Sequence, residues 1–352
     1  VNIAIAMSGG IDSSVAAALL KKEGHNLIGV TMNLLPRVDG ENNGNRVPEA
    51  AVKAKEVAAR LGIPHHIIDL RDIFQEKVIS DFCREYARGK TPNPCVRCNR
   101  YVKFAALMEK ARELGADFIA TGHYARIERD EATGRYLLKK GTDIVKDQSY
   151  FLCQLTQEQL SRAIFPIGGL TKDRVRQIAD ELNLAVADRP ESQEICFIPD
   201  DDYGRFLKNR IPEAYQPGPI INEEGKTIGE HRGIPAFTVG QRRGLGIATT
   251  APLYVTAIEP QRNAVVVGPK DKAHRCEVTA NNINWIAPPP EHPVRVKARV
   301  RYRHPEADAT LTPIGDDTVH VLFEEPQLAV TPGQTVAFYD GDTVIGGGTI
   351  KV

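Results

Sequence analysis

The sequence of 352 residues has no net charge, with 45 Lys and Arg balancing 45 Asp and Glu. A polyanionic partner therefore needs a local cluster of cations, because the overall charge supplies no attraction. No apolar run approaches the roughly 20 residues of a membrane-spanning helix. Nor does the N-terminus carry a basic segment followed by an apolar leader-like stretch. A cytoplasmic location without a membrane partner is the expectation. Internal repeats and low-complexity tracts are also missing, which excludes a solenoid or a disordered tail. What is present is ordinary globular composition, 42% hydrophobic and 26% charged, in a length suited to two or three domains. Six cysteines (Cys83, Cys95, Cys98, Cys153, Cys196 and Cys276) in such a chain read as buried thiols, catalytic thiols or metal ligands. They do not read as a disulfide scaffold.

Along the first half, short apolar runs alternate with helical periodicity. Asn2 to Met7 reads as a strand covered on both faces. A helix is predicted over about Asp12–Glu23, with Asp12 as N-cap and Gly24 as stop. A strand at Asn26–Met32, a polar loop at Arg37–Arg46, and a helix at Glu49–Leu61 follow. Next come a strand at His65–Asp69 and a helix from about Arg71 to Tyr86, then a strand at Asp117–Thr121 and a helix at Thr171–Leu182. The alternation predicts an open parallel α/β sheet. Near residue 200 the helical period fades, and Pro217-Gly218-Pro219, Pro288-Pro289-Pro290 and Pro332-Gly333 punctuate short strands. The expected division is an α/β domain over 1–200, a small central domain over 201–272 and a C-terminal β-barrel or sandwich over 273–352.

Ser8-Gly9-Gly10-Ile11-Asp12-Ser13-Ser14 lies between the first strand and the first helix, where a parallel sheet presents ligands. Two glycines let successive N–H groups turn inward as an anion nest, and the helix N-terminus adds its dipole. The loop is neither a Walker P-loop nor GxGxxG, and by itself it could be only a tight strand–helix turn. The pattern SGGxDS resembles the pyrophosphate loop of the N-type (PP-loop) ATP pyrophosphatases. That resemblance implies ATP and Mg²⁺ as cofactors, with Asp12 catalytic and associated with Mg²⁺ and pyrophosphate. It also implies ATP contacts from Ala6, Met7, Ser8, Gly9, Gly10, Ile11, Asp12, Ser13, Met32 and Gly122. The acceptor is left open, since a small-molecule ligase would use the same loop.

Thr91-Pro92-Asn93-Pro94-Cys95-Val96-Arg97-Cys98-Asn99 is a proline-stiffened loop with a CxxC. Arg84, Arg88, Lys90, Arg97, Arg100, Lys103 and Lys110 surround it in sequence, opposed between Arg84 and Lys110 only by Glu85 and Glu109. Such cations would favour thiolate and attract phosphodiesters. With TGHYAR (Thr121–Arg126), KDQSYFL (Lys146–Leu152), ICFI (Ile195–Ile198), GQRRGLGI (Gly240–Ile247), RYRH (Arg301–His304) and TPGQ (Thr331–Gln334), this segment resembles the tRNA 2-thiouridylase family over essentially the whole chain. The resemblance implies adenylation of the C2 oxygen of a wobble uridine, followed by sulfur transfer. Cys98 would be the nucleophile and Cys196 the persulfide carrier, the two finishing as a disulfide. A sulfur-relay protein would donate the sulfur, and tRNA would be the macromolecular partner of a monomer. By family position the target base meets Asn93, Pro94 and Cys95. Likewise, His123, Lys146, Asp147, Gln148, Arg301, Tyr302 and Gln334 would contact tRNA.

One departure stands out: many members have Asp where this chain has Cys95. Cys95, Cys98 and Cys196 could instead hold three irons of a [4Fe–4S] cluster, or, with a fourth ligand, a zinc ion. A non-catalytic RNA- or metal-binding protein is a further alternative, although it leaves SGGxDS unused. Arg295-Val296-Lys297-Ala298-Arg299-Val300-Arg301-Tyr302-Arg303 alternates basic and apolar residues, so a strand would put every cation on one face. A one-sign ladder is destabilising unless something negative faces it, and phosphate contact is the expectation. Arg242 and Arg243 in a Gly-rich loop suit backbone contacts. For His123 a ligand contact and a satisfied structural role are both open.

Overall fold

The run Asn2–Ala6 forms the central strand β1, with Ile3, Ala4 and Ile5 completely buried. The computed structural model describes residues 1–34, 49–184, 195–198, 200–249 and 251–351. The predicted Arg37–Arg46 loop and residues 191–194 before Ile195 lie outside them. The chain divides into two compact units, one of Val1–Val78, Cys95–Gln193 and Asp342–Ile345, the other of Ile79–Pro94, Glu194–Gly341 and Gly346–Val352.

In the first unit, β2 (Asn26–Asn33), β3 (His65–Asp69), β4 (Phe118–Ala120) and β7 (Ala163–Ile164) join β1 in a wholly parallel sheet of order β3-β2-β1-β4-β7. Strand order reverses at β1, whose neighbours are β2 and β4. The loops leaving the carboxyl ends of β1 and β4 therefore diverge and open a crevice there. Helix α1 (Ile11–Lys22) packs its Val15–Ala18 run and Leu20 into the core with β1, and the small alanines allow a close approach. Gly24, at φ +84°, ends the helix in the left-handed conformation. Asp12 is not the cap as predicted, because the helix starts one residue earlier and Gly10 occupies that position without a side-chain bond.

The predicted Arg71–Tyr86 helix exists in three parts: an α-turn at Arg71–Phe74, a π-helical turn at Gln75–Ile79 and an α-helix at Ser80–Ala87. A second π-helical stretch, Cys98–Ala106, follows the CxxC. The antiparallel hairpin β5 (Ala125–Arg129) and β6 (Tyr136–Lys140) was not predicted. Each strand has only five residues, and β6 (YLLKK) shows no alternation to pair with that of β5 (ARIER).

In the second unit, β8 (Gly218–Ile221), β9 (Thr227–His231), β10 (Tyr254–Glu259) and β11 (Ala264–Gly268) form a sheet of order β10-β11-β8-β9. Its core comprises Ile220, Ile234, Phe237, Val239, Leu245, Val255, Val265 and Val267. Six further strands form a barrel: β12 (His274–Trp285), β13 (Val294–Arg299), β14 (Ala307–Pro313), β15 (Val319–Leu328), β16 (Thr335–Asp340) and β17 (Thr343–Lys351). Pairing of β12 with β17 closes it, so each of these six strands has a partner on both sides. The predicted mixed α/β architecture with a C-terminal β-barrel is the one observed.

Candidate active site

The loop after β1 is built by its own serines. Ser13 and Ser14 donate their hydroxyls to the Gly10 carbonyl at 3.1 and 2.9 Å, and Ser13 Oγ accepts the Ser8 N–H at 3.2 Å. These hydroxyls brace the turn, while the first N–H groups of α1 have no intrahelical acceptors and no side-chain cap. The result is a concentration of partial positive charge suited to an anion. Gly9 sits at φ +71°, and a Cβ there would lie 2.6 Å from the Ala50 carbonyl oxygen. Gly122, just beyond β4, closes on the loop from the neighbouring strand. Its missing Cβ would stand 2.8 Å from the backbone of both Asp12 and Ser13. Ala6 and Met32 are half-buried at the same strand ends, and the Met7 carbonyl accepts the Thr31 hydroxyl.

Asp12 is held from two sides. Tyr124 donates its phenol to Oδ1 at 2.6 Å, and Lys172 Nζ reaches Oδ1 and Oδ2 at 2.8 and 2.9 Å. The Lys172 side chain is only 6% exposed and that of Asp12 31%. Removing either member of so enclosed a pair leaves a partly desolvated charge behind. Sequence reasoning missed both partners. Lys172 did leave a signal: it occupies the first position of the Lys172–Glu181 helix, capped by Thr171, where a cation opposes the helix dipole unless a carboxylate meets it. Asp12 is the one carboxylate the loop offers to Mg²⁺. Its oxygens are already neutralised by Lys172, so the metal would be carried chiefly by the phosphates of its nucleotide.

His123 is buried, with Nδ1 2.6 Å from the Thr121 hydroxyl and its ring against Phe104 and Phe165. Burial first, and the Lys103 charge second, hold its pKa well below the usual imidazole range. Burial and ring packing give His123 a structural role beneath the site.

Cys95 is exposed on the short Pro94–Arg97 helix, while Cys98 opens the π-helical stretch and is buried. Next to it, the buried Asn99 donates to the Phe151 carbonyl at 3.0 Å, and its Oδ1 has no partner among the described residues. The cations near the CxxC are better balanced than their sequence window implied. Asp81 and Glu113, just outside it, pair with Arg84 and Lys110, and Glu85 takes Arg84, Arg88 and Lys90. Arg97 donates to the Lys77 carbonyl, and both Arg97 and Arg100 lie over the Tyr101 ring.

In the second unit, Cys196 is exposed beside Phe197, which is anchored between Phe82 and Phe206. There too, Gln334 donates to the Thr91 and Pro92 carbonyls at 3.0 and 3.3 Å, and the Thr91 N–H donates to the Pro332 carbonyl at 2.9 Å. The TPGQ motif thereby clamps the segment that leads through Asn93 to Pro94. Among the described residues no disulfide forms, and no group of three His, Cys, Asp or Glu side chains is placed to hold a metal.

The basic ladder needs a larger correction. The strand ends at Arg299, and acids face its cations: Asp308 meets Lys297 at 2.9 Å, Glu306 meets Arg299 at 2.8 Å, and Glu324 lies 3.7 Å from Arg295. Local alternation correctly placed Val296 and Ala298 in the core. It could not report that the neutralising carboxylates lie on β14, on β15 and at Glu306 just before β14. Arg301 is half-buried and donates to the Val239 carbonyl and the Thr331 hydroxyl, whereas Tyr302 is half-buried and Arg303 exposed. Arg242 and Arg243 are exposed in their Gly-rich loop. Asp147 is buried and spends its carboxylate on the Gly141 and Ser149 N–H groups and the Ser149 hydroxyl. These bonds give Asp147 a bracing role within its loop. Lys146 and Gln148 are half-buried on the same loop.

Three family models match in order: a tRNA methyl transferase HUP domain over residues 1–200, a tRNA methyl transferase PRC-barrel domain over 204–269, and an aminomethyltransferase beta-barrel domain over 275–350. A tRNA-specific 2-thiouridylase MnmA of Heliobacterium modesticaldum is 52% identical over 99% of this chain and 92% of its own length. Proteins of the same name from Symbiobacterium thermophilum and Acetivibrio thermocellus are 50% and 48% identical. Each match covers 99% of this chain, with 92% and 99% of the relatives' own lengths. With about half of its residues identical to these relatives over 99% of its length, the chain belongs to the MnmA family of tRNA-specific 2-thiouridylases.

Proposed function

We propose that the protein is an ATP-dependent tRNA sulfurtransferase that replaces the C2 oxygen of the wobble uridine with sulfur. The observation that carries this reading is the Asp12 carboxylate, fixed by Lys172 and Tyr124 beside an open helix N-terminus at the reversal point of a parallel sheet. Such a site suits a triphosphate. The CxxC within the same unit supplies the sulfur chemistry. The family models' mention of methyl transfer does not account for a phosphate loop and a second thiol at Cys196.

In the proposed sequence the C2 oxygen attacks the α-phosphate of ATP, and pyrophosphate leaves. The helix N-terminus and Lys172 stabilise the departing charge, and Mg²⁺ would shield the phosphates. A persulfide on Cys196, loaded by a relay protein, attacks C2 with its outer sulfur, and AMP departs. The Cys98 thiolate then attacks the inner sulfur, forming a Cys98–Cys196 disulfide and leaving the outer sulfur on C2. A thiol reductant restores both cysteines. The base reaches this site by leaving its stack, and the trio Asn93, Pro94 and Cys95 receives it. Cys95 stands where many members have a carboxylate, so its exposed sulfur would, as thiolate, take the uridine N3 proton and become the thiol.

The test is incubation of the full chain with unmodified tRNA, ATP, Mg²⁺ and a persulfide donor, with 2-thiouridine and AMP quantified by mass spectrometry. Thiouridine formation by the native protein and its loss in both Cys98→Ser and Cys196→Ser are expected. Normal thiolation by the Cys196→Ser protein would refute the two-thiol mechanism. AMP formation with a small amine acceptor and no response to tRNA would favour a ligase.

A further inference from the structure

Both residues that hold Asp12 are anchored through their backbones by one loop. Asp143 accepts the Lys172 backbone N–H on Oδ2 at 2.9 Å. Gln148 accepts the Tyr124 N–H on Oε1 at 3.0 Å and returns its own N–H to the Tyr124 carbonyl at 2.8 Å. Two separate chains of contacts, Asp143–Lys172 and Gln148–Tyr124, therefore leave residues 141–149 and converge on the same carboxylate. The loop between these anchor points has little slack. Asp143 Oδ1 accepts from the Val145 and Lys146 N–H groups at 3.1 and 3.2 Å, and the buried Asp147 ties Gly141 to Ser149. Thr142 donates to the Gly168 carbonyl at 3.0 Å, and a Cβ on Gly141 would come within 2.7 Å of the Tyr124 carbonyl oxygen.

The tip of this braced loop is apolar and open. Ile144 and Val145 are 82% and 84% exposed, and Lys146 follows them. Two adjacent branched side chains presented to solvent on a stiff frame suit contact with the apolar faces of bases or riboses, with the lysine directed to phosphate.

We propose that the 141–149 loop couples bound RNA to the phosphate site, with Asp143, Gln148 and Tyr124 as its positioning residues. RNA seated on Ile144, Val145 and Lys146 shifts this stiff loop as one piece. Through the Gln148–Tyr124 and Asp143–Lys172 contacts it fixes the Asp12 carboxylate and the Lys172 ammonium against the triphosphate. Adenylation then runs fast only when its acceptor is present, because a phosphate site misplaced by about 1 Å costs on the order of a hundredfold in rate. This rests on the RNA-thiolating reading above.

The experiment uses the full chain and an unmodified tRNA transcript. It measures AMP formation at saturating RNA, RNA affinity by mobility shift, and ATP affinity without RNA by calorimetry. Asp143→Ala is expected to lower kcat at saturating RNA about tenfold while ATP affinity without RNA and RNA affinity stay within twofold. Tyr124→Phe, which keeps the ring and loses only the phenol, is expected to lower kcat without raising the KM for ATP. Ile144→Ser combined with Val145→Ser changes only exposed side chains, and its expected effect is weaker RNA binding and lost stimulation. If the native protein is stimulated by RNA but Asp143→Ala retains full kcat, the coupling is overturned and the thiolation reading survives. Loss of RNA-free ATP affinity in Asp143→Ala to the same extent as kcat also overturns it, since that marks a general structural defect. If RNA never raises AMP formation in the native protein, the thiolation reading falls and the coupling with it.

Discussion

Gly122→Ala isolates the contact between the β4 strand end and the phosphate loop. The added methyl would sit 2.8 Å from the Asp12 carbonyl carbon and from the Ser13 nitrogen, and 3.1 Å from the Asp12 Cβ. Carbon contacts are comfortable near 3.5–4.0 Å, so the two segments must separate by about half an ångström or more. Neither neighbour is a flexible side-chain end: one is the first turn of α1, the other the end of a buried strand. Overpacking of this kind costs about 1–3 kcal/mol, a loss of a few degrees in Tm. The larger effect falls on chemistry, because the retreat moves Asp12 and the α1 N-terminus relative to the nucleotide. On the scale of about a hundredfold per ångström, kcat/KM for ATP should fall roughly tenfold or more in an assay of tRNA-dependent pyrophosphate release. Gly169→Ala is the control, with nothing within 4 Å of its built Cβ, and should behave as native. Native kcat/KM in Gly122→Ala would refute the claim that this glycine sets the loop.

Charge reversal at Arg299, which is 12% exposed and paired with Glu306, should cost on the order of 3–5 kcal/mol of stability, measured by urea unfolding. Reversal of the exposed Arg303 should leave stability nearly unchanged and reduce the salt slope of tRNA binding by about one. A stable Arg299→Glu protein with lowered RNA affinity would restore the ladder as a phosphate surface. Alkylation of the native protein at pH 8 should modify the exposed Cys95, Cys196 and Cys276 first. Burial pushes the Cys153 thiol up to about 12, so peptide mass spectrometry should find it modified only after denaturation. His123 has a folded pKa below its unfolded one. The unfolded state therefore binds the extra proton, and stability is fully present above about pH 6.5 and declines as pH falls below it. Urea midpoints from pH 7.5 to 5 should fall less steeply in His123→Gln, and an unchanged slope would show that the buried ring does not titrate on unfolding.

Much of the site was legible in the sequence because its signals are local. An apolar run, two glycines and a helical period fix β1, the phosphate loop and α1 together, since each depends only on neighbours a few residues away. The period of two in β13 likewise told which side chains enter the barrel. The CxxC spacing and the strand–helix alternation belong to the same class. Local pattern says which face of an element is buried, but not which distant group lies against it. Lys172 and Tyr124 meet Asp12 across 160 and 112 positions. The carboxylates that neutralise the basic strand arrive on or just before other strands, and Asp147 and His123 turn inward into packing that their motifs do not encode. Charge balance, histidine protonation and the support of Asp12 are pairwise properties of residues brought together by the fold, so only the tertiary structure decided them.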